Sequence, residues 1–246
     1  MNRYKAIYDR VMKEEQEAQE KYKGAIFELR GVEYPNLERF KAMFVPNNEF
    51  LKSYDPTVAE VSAGMYGEGG GSIWTGQLLF PVMDLLGDVR GFAAFDPFVY
   101  ADVHGGGSGN YYAYSSGDLM SKKRFMLGAE GVYKRAWEQG YLCITDGIFD
   151  TVSLDARGVN AMALMGSSLT PEILFQLRFI KNVILVQDND DAGLMLGDKL
   201  KRMHRGGKVF RQKYDKDFDG AVRGGYGDRV VDELRTFLAQ SCNIRI

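Results

Sequence analysis

Cysteine is nearly missing from this chain of 246 residues: Cys143 and Cys242 are the only two. Neither a disulfide framework nor a cysteine-built zinc site can be assembled from them. Cys143 lies in an apolar run and reads as a small buried side chain. Long apolar runs are missing as well, and the start of the chain is polar, so neither a membrane span nor a secretory signal is expected. The expected compartment is the cytoplasm, with no membrane partner. A basic surplus is also absent: 31 Lys and Arg stand against 33 Asp and Glu, for a net charge of -2. Nucleic-acid binders usually carry a positive excess, so any such function here must rest on local basic patches facing an acidic, metal-loaded site. What remains is an ordinary globular composition, 45% hydrophobic and 26% charged, with enough length for one large domain or two small ones.

The most informative stretch is VILVQDNDDAG, Val183 to Gly193. Its β-branched apolar run reads as a buried strand of a parallel sheet, which then runs into Asp188, Asp190 and Asp191. Like charges at the carboxyl end of a strand are unfavourable unless a cation sits there. Asp188 and Asp190, two apart, can present carboxylates on the same side, and oxygen ligands suit a hard divalent ion. Taken alone, the pair is better read as an acidic loop with Asp191 capping the next helix.

The rest of the chain changes that balance. Tyr4, Ile7, Tyr8, Val11 and Met12 share one face of a helix predicted over residues 2–23, whose second half, KEEQEAQEKYK, reads as solvated surface. Residues 27–46 predict a short helix, a turn at Gly31, a second short helix through Phe40 and a stop at Pro46. Gly64 to Gly71 lacks the Lys-Ser/Thr of a phosphate loop and reads as a flexible connection. Leu78 to Val82 and Val89 to Phe95 predict a hairpin around Gly87. Asp102 to Asn110 reads as a loop tip, with His104 at the surface. Lys122, Lys123, Arg124 and Lys134, with Tyr111, Tyr112, Tyr114, Phe125 and Tyr133 interleaved, suit phosphate contact and base stacking, or a plain solvated face.

Beyond Gly140, predicted strands at 141–145, 161–165, 183–187 and 208–214 alternate with helices at 151–157, 171–180 and 192–203. That is the pattern of an α/β fold, a mainly parallel sheet with helices on both faces. Ligands of such sheets gather at the carboxyl ends of the strands. Those ends carry Asp146 and Asp150, then Asp188 and Asp190, then Asp215, Asp217 and Asp219. Helix capping explains three acidic strand ends poorly, and a divalent-metal site explains them well.

These residues resemble a known pattern. DGIFD (Asp146 to Asp150) followed by DNDDAG (Asp188 to Gly193) is similar to the acidic signature of the Toprim domain of DnaG-type primases, topoisomerases and some nucleases. LLFPVMDLLGDVRGF (Leu78 to Phe92), LMGSSLT (Leu164 to Thr170) and KDFDGAVRGGYG (Lys216 to Gly227) resemble, in the same order, segments of the DnaG-type primase polymerase core. ELRGVEYPNLERFKAMFVP (Glu28 to Pro46) resembles its helical lead-in. The likeness runs from about residue 26 to about residue 239. It implies a Toprim-like sheet preceded by a smaller α+β subdomain. The expected divisions are a helical region over 1–63, an α+β subdomain over 64–140, the Toprim domain over 141–215, and the third acidic box with a terminal helix over 216–246.

The resemblance further implies divalent-metal-dependent synthesis of RNA primers from ribonucleoside triphosphates on single-stranded DNA. Asp146, Asp150, Asp188 and Asp190 would be catalytic, and Mg2+ or Mn2+, not zinc, would be held by Asp146, Asp188, Asp190, Asp217 and Asp219. Lys122, Lys123, Arg124 and Lys134 would bind nucleotide or template phosphates. A replicative helicase and a separate template-recognition factor are implied partners, since the family's zinc-binding domain cannot be built and its helicase-docking region has no counterpart. Asp146 stands where the family has Glu, Phe95 where it has Arg, and Tyr114 where it has Asn. A metal-dependent Toprim nuclease and a catalytically silent replication module are the competing readings.

Overall fold

The computed structural model describes residues 3–46, 74–104, 112–114, 123–166 and 168–244. The glycine-rich stretch 64–71, Tyr111, Lys122 and the His104 side chain lie outside these. The chain divides into two compact units, Met1–Ser121 and Lys122–Ile246.

In the first unit, α1 (Arg3–Glu14) and α2 (Gln16–Arg30) replace the single helix predicted over 2–23. Helix α2 runs on until Gly31, whose φ of 64° places it in the left-handed region and lets its N–H bond the Phe27 carbonyl. Helix α3 (Tyr34–Arg39) follows, with a proline in its first turn. The supposed solvated half of the first helix is partly core. Gln19 is buried and pairs with Phe44, its Nε2 donating to the Phe44 carbonyl at 3.0 Å and its Oε1 accepting the Phe44 N–H at 2.9 Å. It thereby covers the open edge of a four-stranded antiparallel sheet ordered β1 (Met43–Phe44), β2 (Leu78–Met83), β3 (Val89–Phe95), β4 (Tyr112–Tyr114). Strand β1 is hydrogen-bonded to β2, so the helical lead-in and the hairpin form one unit and no division falls at residue 63.

The hairpin is as predicted, with Gly87 at φ 82°. The Asp84 carboxylate shapes its turn by accepting from the N–H groups of Leu86 and Asp88 and from the Arg90 guanidinium. Pro81 is tolerated inside β2 because β1 reaches only Leu78 and Leu79, leaving no strand partner on that side among the described residues for the missing N–H. Helix α4 (Pro97–His104) occupies the start of the predicted loop tip. Tyr112 and Tyr114 are half-exposed strand residues of the first unit, Tyr112 lying against buried Phe95.

The second unit holds a five-stranded sheet in the order β5 (Leu127–Gly128), β7 (Ala161–Ala163), β6 (Tyr141–Thr145), β8 (Asn182–Gln187), β9 (Gly207–Arg211). All pairings are parallel except that of the edge strand β5. Side chains alternate across the sheet as strand geometry requires. Leu142, Ile144, Val183 and Leu185 face α5 (Val132–Gln139), α7 (Pro171–Leu177) and α8 (Asp191–Met203). Tyr141, Cys143, Ile184 and Val186 face α6 (Ile148–Asp155), α9 (Phe218–Arg223) and α10 (Gly227–Cys242). The α/β sheet with helices on both faces is therefore as expected. Its lead-in strand β5 and helix α5 belong to this unit, so the expected division at residue 140 moves back to residue 121, and α10 packs into the same core. Among the described residues no helix is long and apolar enough to cross a membrane.

Candidate active site

Parallel strands β6, β8 and β9 run the same way, so the turns after them emerge at one edge of the sheet. Asp146 follows β6 directly. Thr145 fixes that turn, its hydroxyl donating to the Gly147 carbonyl and lying 2.6 Å from the Thr151 hydroxyl. Helix α6 starts three residues earlier than predicted, which puts Asp150 in its first turn rather than on a strand end. Asp150 is buried, and its Oδ1 accepts the Asp219 N–H at 2.7 Å, joining the start of α6 to the start of α9.

The DNDD turn leaves β8. Asp190, not Asp191, caps α8, its Oδ1 accepting the Gly193 N–H at 2.9 Å, while its Oδ2 stands 3.4 Å from Lys216 Nζ. Asp217 caps α9 by accepting the Gly220 N–H at 2.6 Å, and buried Asp219 pairs with Arg223 at 3.1 Å. The acids are thus partly caps, as a bland reading of the sequence would have it, and also a cluster. Burial first, then the charges of Asp217, Asp146 and Asp190, push Asp188 up to about 7 against the pull of Lys216. Burial, then Asp188, Asp217 and Asp219, hold Asp150 well above the usual carboxylate range. Asp190 moves the other way, lowered chiefly by the Gly193 N–H and by Lys216. Six of the seven acids named from the sequence at this edge are thus linked, Asp188 with Asp146, Asp190 and Asp217, and Asp150 with Asp188, Asp217 and Asp219.

Two residues with no sequence signal of their own tie the acidic turns together. Asn189, between the two aspartates, donates from Nδ2 to the carbonyls of Gln212 and Asp215 and from its N–H to the Lys216 carbonyl, and it accepts from Arg211 Nε. Buried Gln212 accepts the N–H groups of Tyr214 and Asp215 and donates to the carbonyls of Asp215 and Asp217. Strand β9 ends at Arg211, short of the predicted Tyr214, because this side chain takes over the hydrogen bonds a strand would make. Asn189→Ala is expected to cost only about 1 to 2 kcal/mol in thermal unfolding, the worth of one or two hydrogen bonds. It is expected to weaken divalent-ion binding in calorimetry by about tenfold, because the two acidic turns lose their register.

The basic residues are less concentrated. Lys123 and Arg124 are exposed, but their main chain is fixed: the Lys123 carbonyl accepts from Thr170 and the Arg124 carbonyl from Gln176. Lys134 is exposed on α5 and stands 3.9 Å from Glu138 one turn along.

A hard divalent ion takes oxygen ligands, and every acidic donor at this edge is a carboxylate oxygen. Among the described residues the Asp188 carboxylate takes part in no hydrogen bond, and its raised protonation reflects a charge that a cation would relieve. No group of three or more His, Cys, Asp or Glu side chains among the described residues already forms a cage. The donor set fits such an ion, and binding would have to draw the acids inward.

Residues 143–222 match a family model described as Toprim-like. A curated DNA primase from Thermotoga maritima is 40% identical over 76 residues, 30% of this chain and 14% of that protein, so the match spans only a small part of its relative. Among solved structures, the RNA polymerase domain of Mycobacterium tuberculosis primase DnaG superposes with a TM-score of 0.72 at 20% identity, over 92% of this chain and 78% of that one. A DnaG primase catalytic domain bound to single-stranded DNA gives 0.65 at 24% identity, over 85% and 69%. The chain has the fold of a DnaG-type primase catalytic core built around a Toprim-like segment.

Proposed function

We propose that this chain is the nucleotidyl-transfer core of a DNA primase, joining ribonucleoside triphosphates into short RNA primers on single-stranded DNA. The observation that carries the reading is the mutual electrostatic perturbation of acids from three segments, after β6, β8 and β9, at one edge of a Toprim-like sheet. Bound Mg2+ or Mn2+ would supply charge neutralisation at the nucleotide phosphates and polarise the attacking 3'-hydroxyl. Asp188 is the central ligand of this reading, with Asp146, Asp190 and Asp217 around it.

Asp150 and Asp219 act differently. Both are buried and engaged, Asp150 with the Asp219 N–H and Asp219 with Arg223, so they brace the starts of α6 and α9 and hold the third segment beside the first. Asp146, one methylene shorter than the family's Glu, reaches less far into the cluster. Lys123 and Arg124, displayed on a fixed main chain, suit phosphates of nucleotide or template, and Lys122 and Lys134 lie on either side in sequence. A helicase and a template-recognition factor remain the partners of this reading.

Primer synthesis on single-stranded DNA with Mg2+ or Mn2+, alone and with a helicase or a zinc-domain factor, tests it. Asp188→Asn combined with Asp190→Asn is expected to lower product by about a hundred- to a thousandfold, the scale for losing a group that stabilises developing charge. A wild type no more active than this variant in every condition overturns the reading, and metal-dependent cleavage of nucleic acid without triphosphates replaces it with the nuclease.

A further inference from the structure

We propose that Tyr226 and Tyr214, with Lys213 and Arg229, form a stacking platform for single-stranded nucleic acid beside the third acidic segment. The assignment deepens the polymerase reading by naming a place where a strand is held.

The two rings are stacked, with centroids 5.1 Å apart and planes 14° from parallel. Tyr226 is 45% exposed, unusual for a large ring held in a fixed stack. Beneath it Tyr214 is braced: its hydroxyl donates to Glu233, and the Arg229 guanidinium and Lys213 ammonium stand 5.2 and 5.4 Å from its ring centre. Both cations keep most of their surface in solvent, with side chains 66% and 69% exposed, while pairing loosely with Glu233. The turn before Tyr226 is open as well, since nothing beyond its chain neighbours lies within 4 Å of where a Cβ on Gly225 would stand.

Outward cations beside an exposed, stacked aromatic are what sequence-tolerant single-strand binding uses, because every base has a face to stack and every nucleotide a phosphate. A stack that merely stiffened the turn between α9 and α10 would need neither the exposure of Tyr226 nor the outward cations.

The test is fluorescence anisotropy of the full chain with labelled 12-nucleotide oligo(dT) and oligo(U), and with oligo(dT) carrying abasic positions, all in EDTA so that metal chemistry plays no part. Tyr226→Ala is expected to weaken binding by about tenfold, and Tyr226→Phe to stay within about twofold of wild type. The abasic oligomer is expected to cost wild type the same tenfold and Tyr226→Ala nothing further, a coupling that a purely structural role would not produce. Lys213→Ala with Arg229→Ala is expected to flatten the salt dependence by between one and two logarithmic units per unit of log salt. Tighter binding of oligo(dT) identifies the strand as template, and of oligo(U) as product. Tyr226→Ala binding within twofold of wild type, or losses that simply multiply, overturns the platform. Active primer synthesis alongside that result leaves the acidic-edge reading standing.

Discussion

Asp188→Asn is expected to silence primer synthesis and, at the same time, to make the metal-free protein more stable at pH 8. The two effects share a cause. In the folded chain Asp188 holds its proton up to about 7, against an ordinary value of 3.8, because it is buried among Asp217, Asp146 and Asp190. Between about pH 4 and pH 7 the folded state therefore binds a proton that the unfolded state has released, and stability falls as pH rises through that window. Asp150 contributes in the same direction. Above pH 7 the burden is constant, and below pH 4 it is gone. Asparagine removes it. At about 1.4 kcal/mol per pH unit, reduced because Asp188 is only half-buried, the gain is about 2 to 4 kcal/mol at pH 8. In a protein of this size that is about 5 to 10 °C in Tm. Thermal melts in EDTA at pH 4 and pH 8 read it directly: wild type and variant should coincide at the lower pH and separate at the higher. Adding Mg2+ should then raise the wild type and leave the variant where it was. A variant that melts no higher than wild type at pH 8 would falsify the electrostatic account of this edge.

Gly193→Ala is expected to damage both fold and site without touching any charge. A Cβ at Gly193 would stand 2.4 Å from the Asp188 carbonyl oxygen and 3.1 to 3.2 Å from two further backbone atoms of that residue. Backbone cannot swing aside as a side-chain tip can, so the DNDD turn must move. Overpacking of this kind costs about 1 to 3 kcal/mol. The displaced residue is the one whose carboxylate lies at the centre of the acid cluster, so divalent-ion affinity in calorimetry should drop by about tenfold or more, with primer synthesis following it. Gly24, in the middle of α2 with nothing within 4 Å of its virtual Cβ, is the control. Gly24→Ala should leave activity unchanged and stabilise by about 0.5 to 1 kcal/mol through helix propensity.

The parallel sheet and its acidic edge are legible in the sequence because they are written in strong periodicities and in charge. VILVQ followed by DNDD names a buried strand and its exit, and the structure buries every residue of β8. What escapes are jobs done by single polar side chains. Gln19, Asn189 and Gln212 replace backbone partners, and nothing in one sequence distinguishes a buried glutamine that completes a sheet edge or ends a strand from a solvated one. Helix starts were misplaced for a related reason. Asp190 and Asp191 are equally good caps by residue type, and the choice falls to Asp190 because its carboxylate faces the N–H of Gly193, three residues on. Strands β1 and β4, of two and three residues, are too short to show an alternation, so Tyr112 and Tyr114 read as part of an aromatic surface.

Helices α6, α8 and α9 all begin beside the carboxylates, at Ile148, Asp191 and Phe218. Each therefore turns the positive end of its peptide dipole toward the acid cluster, worth a few tenths to about 1 kcal/mol per helix. Those partial charges belong to the main chain and cannot be chelated. In this respect the second unit is the opposite of a zinc finger, whose fold is assembled by its ion. A chelator should therefore leave a folded, binding-competent shell that reloads on dilution into Mg2+, melting lower than the loaded protein at pH 8 without unfolding.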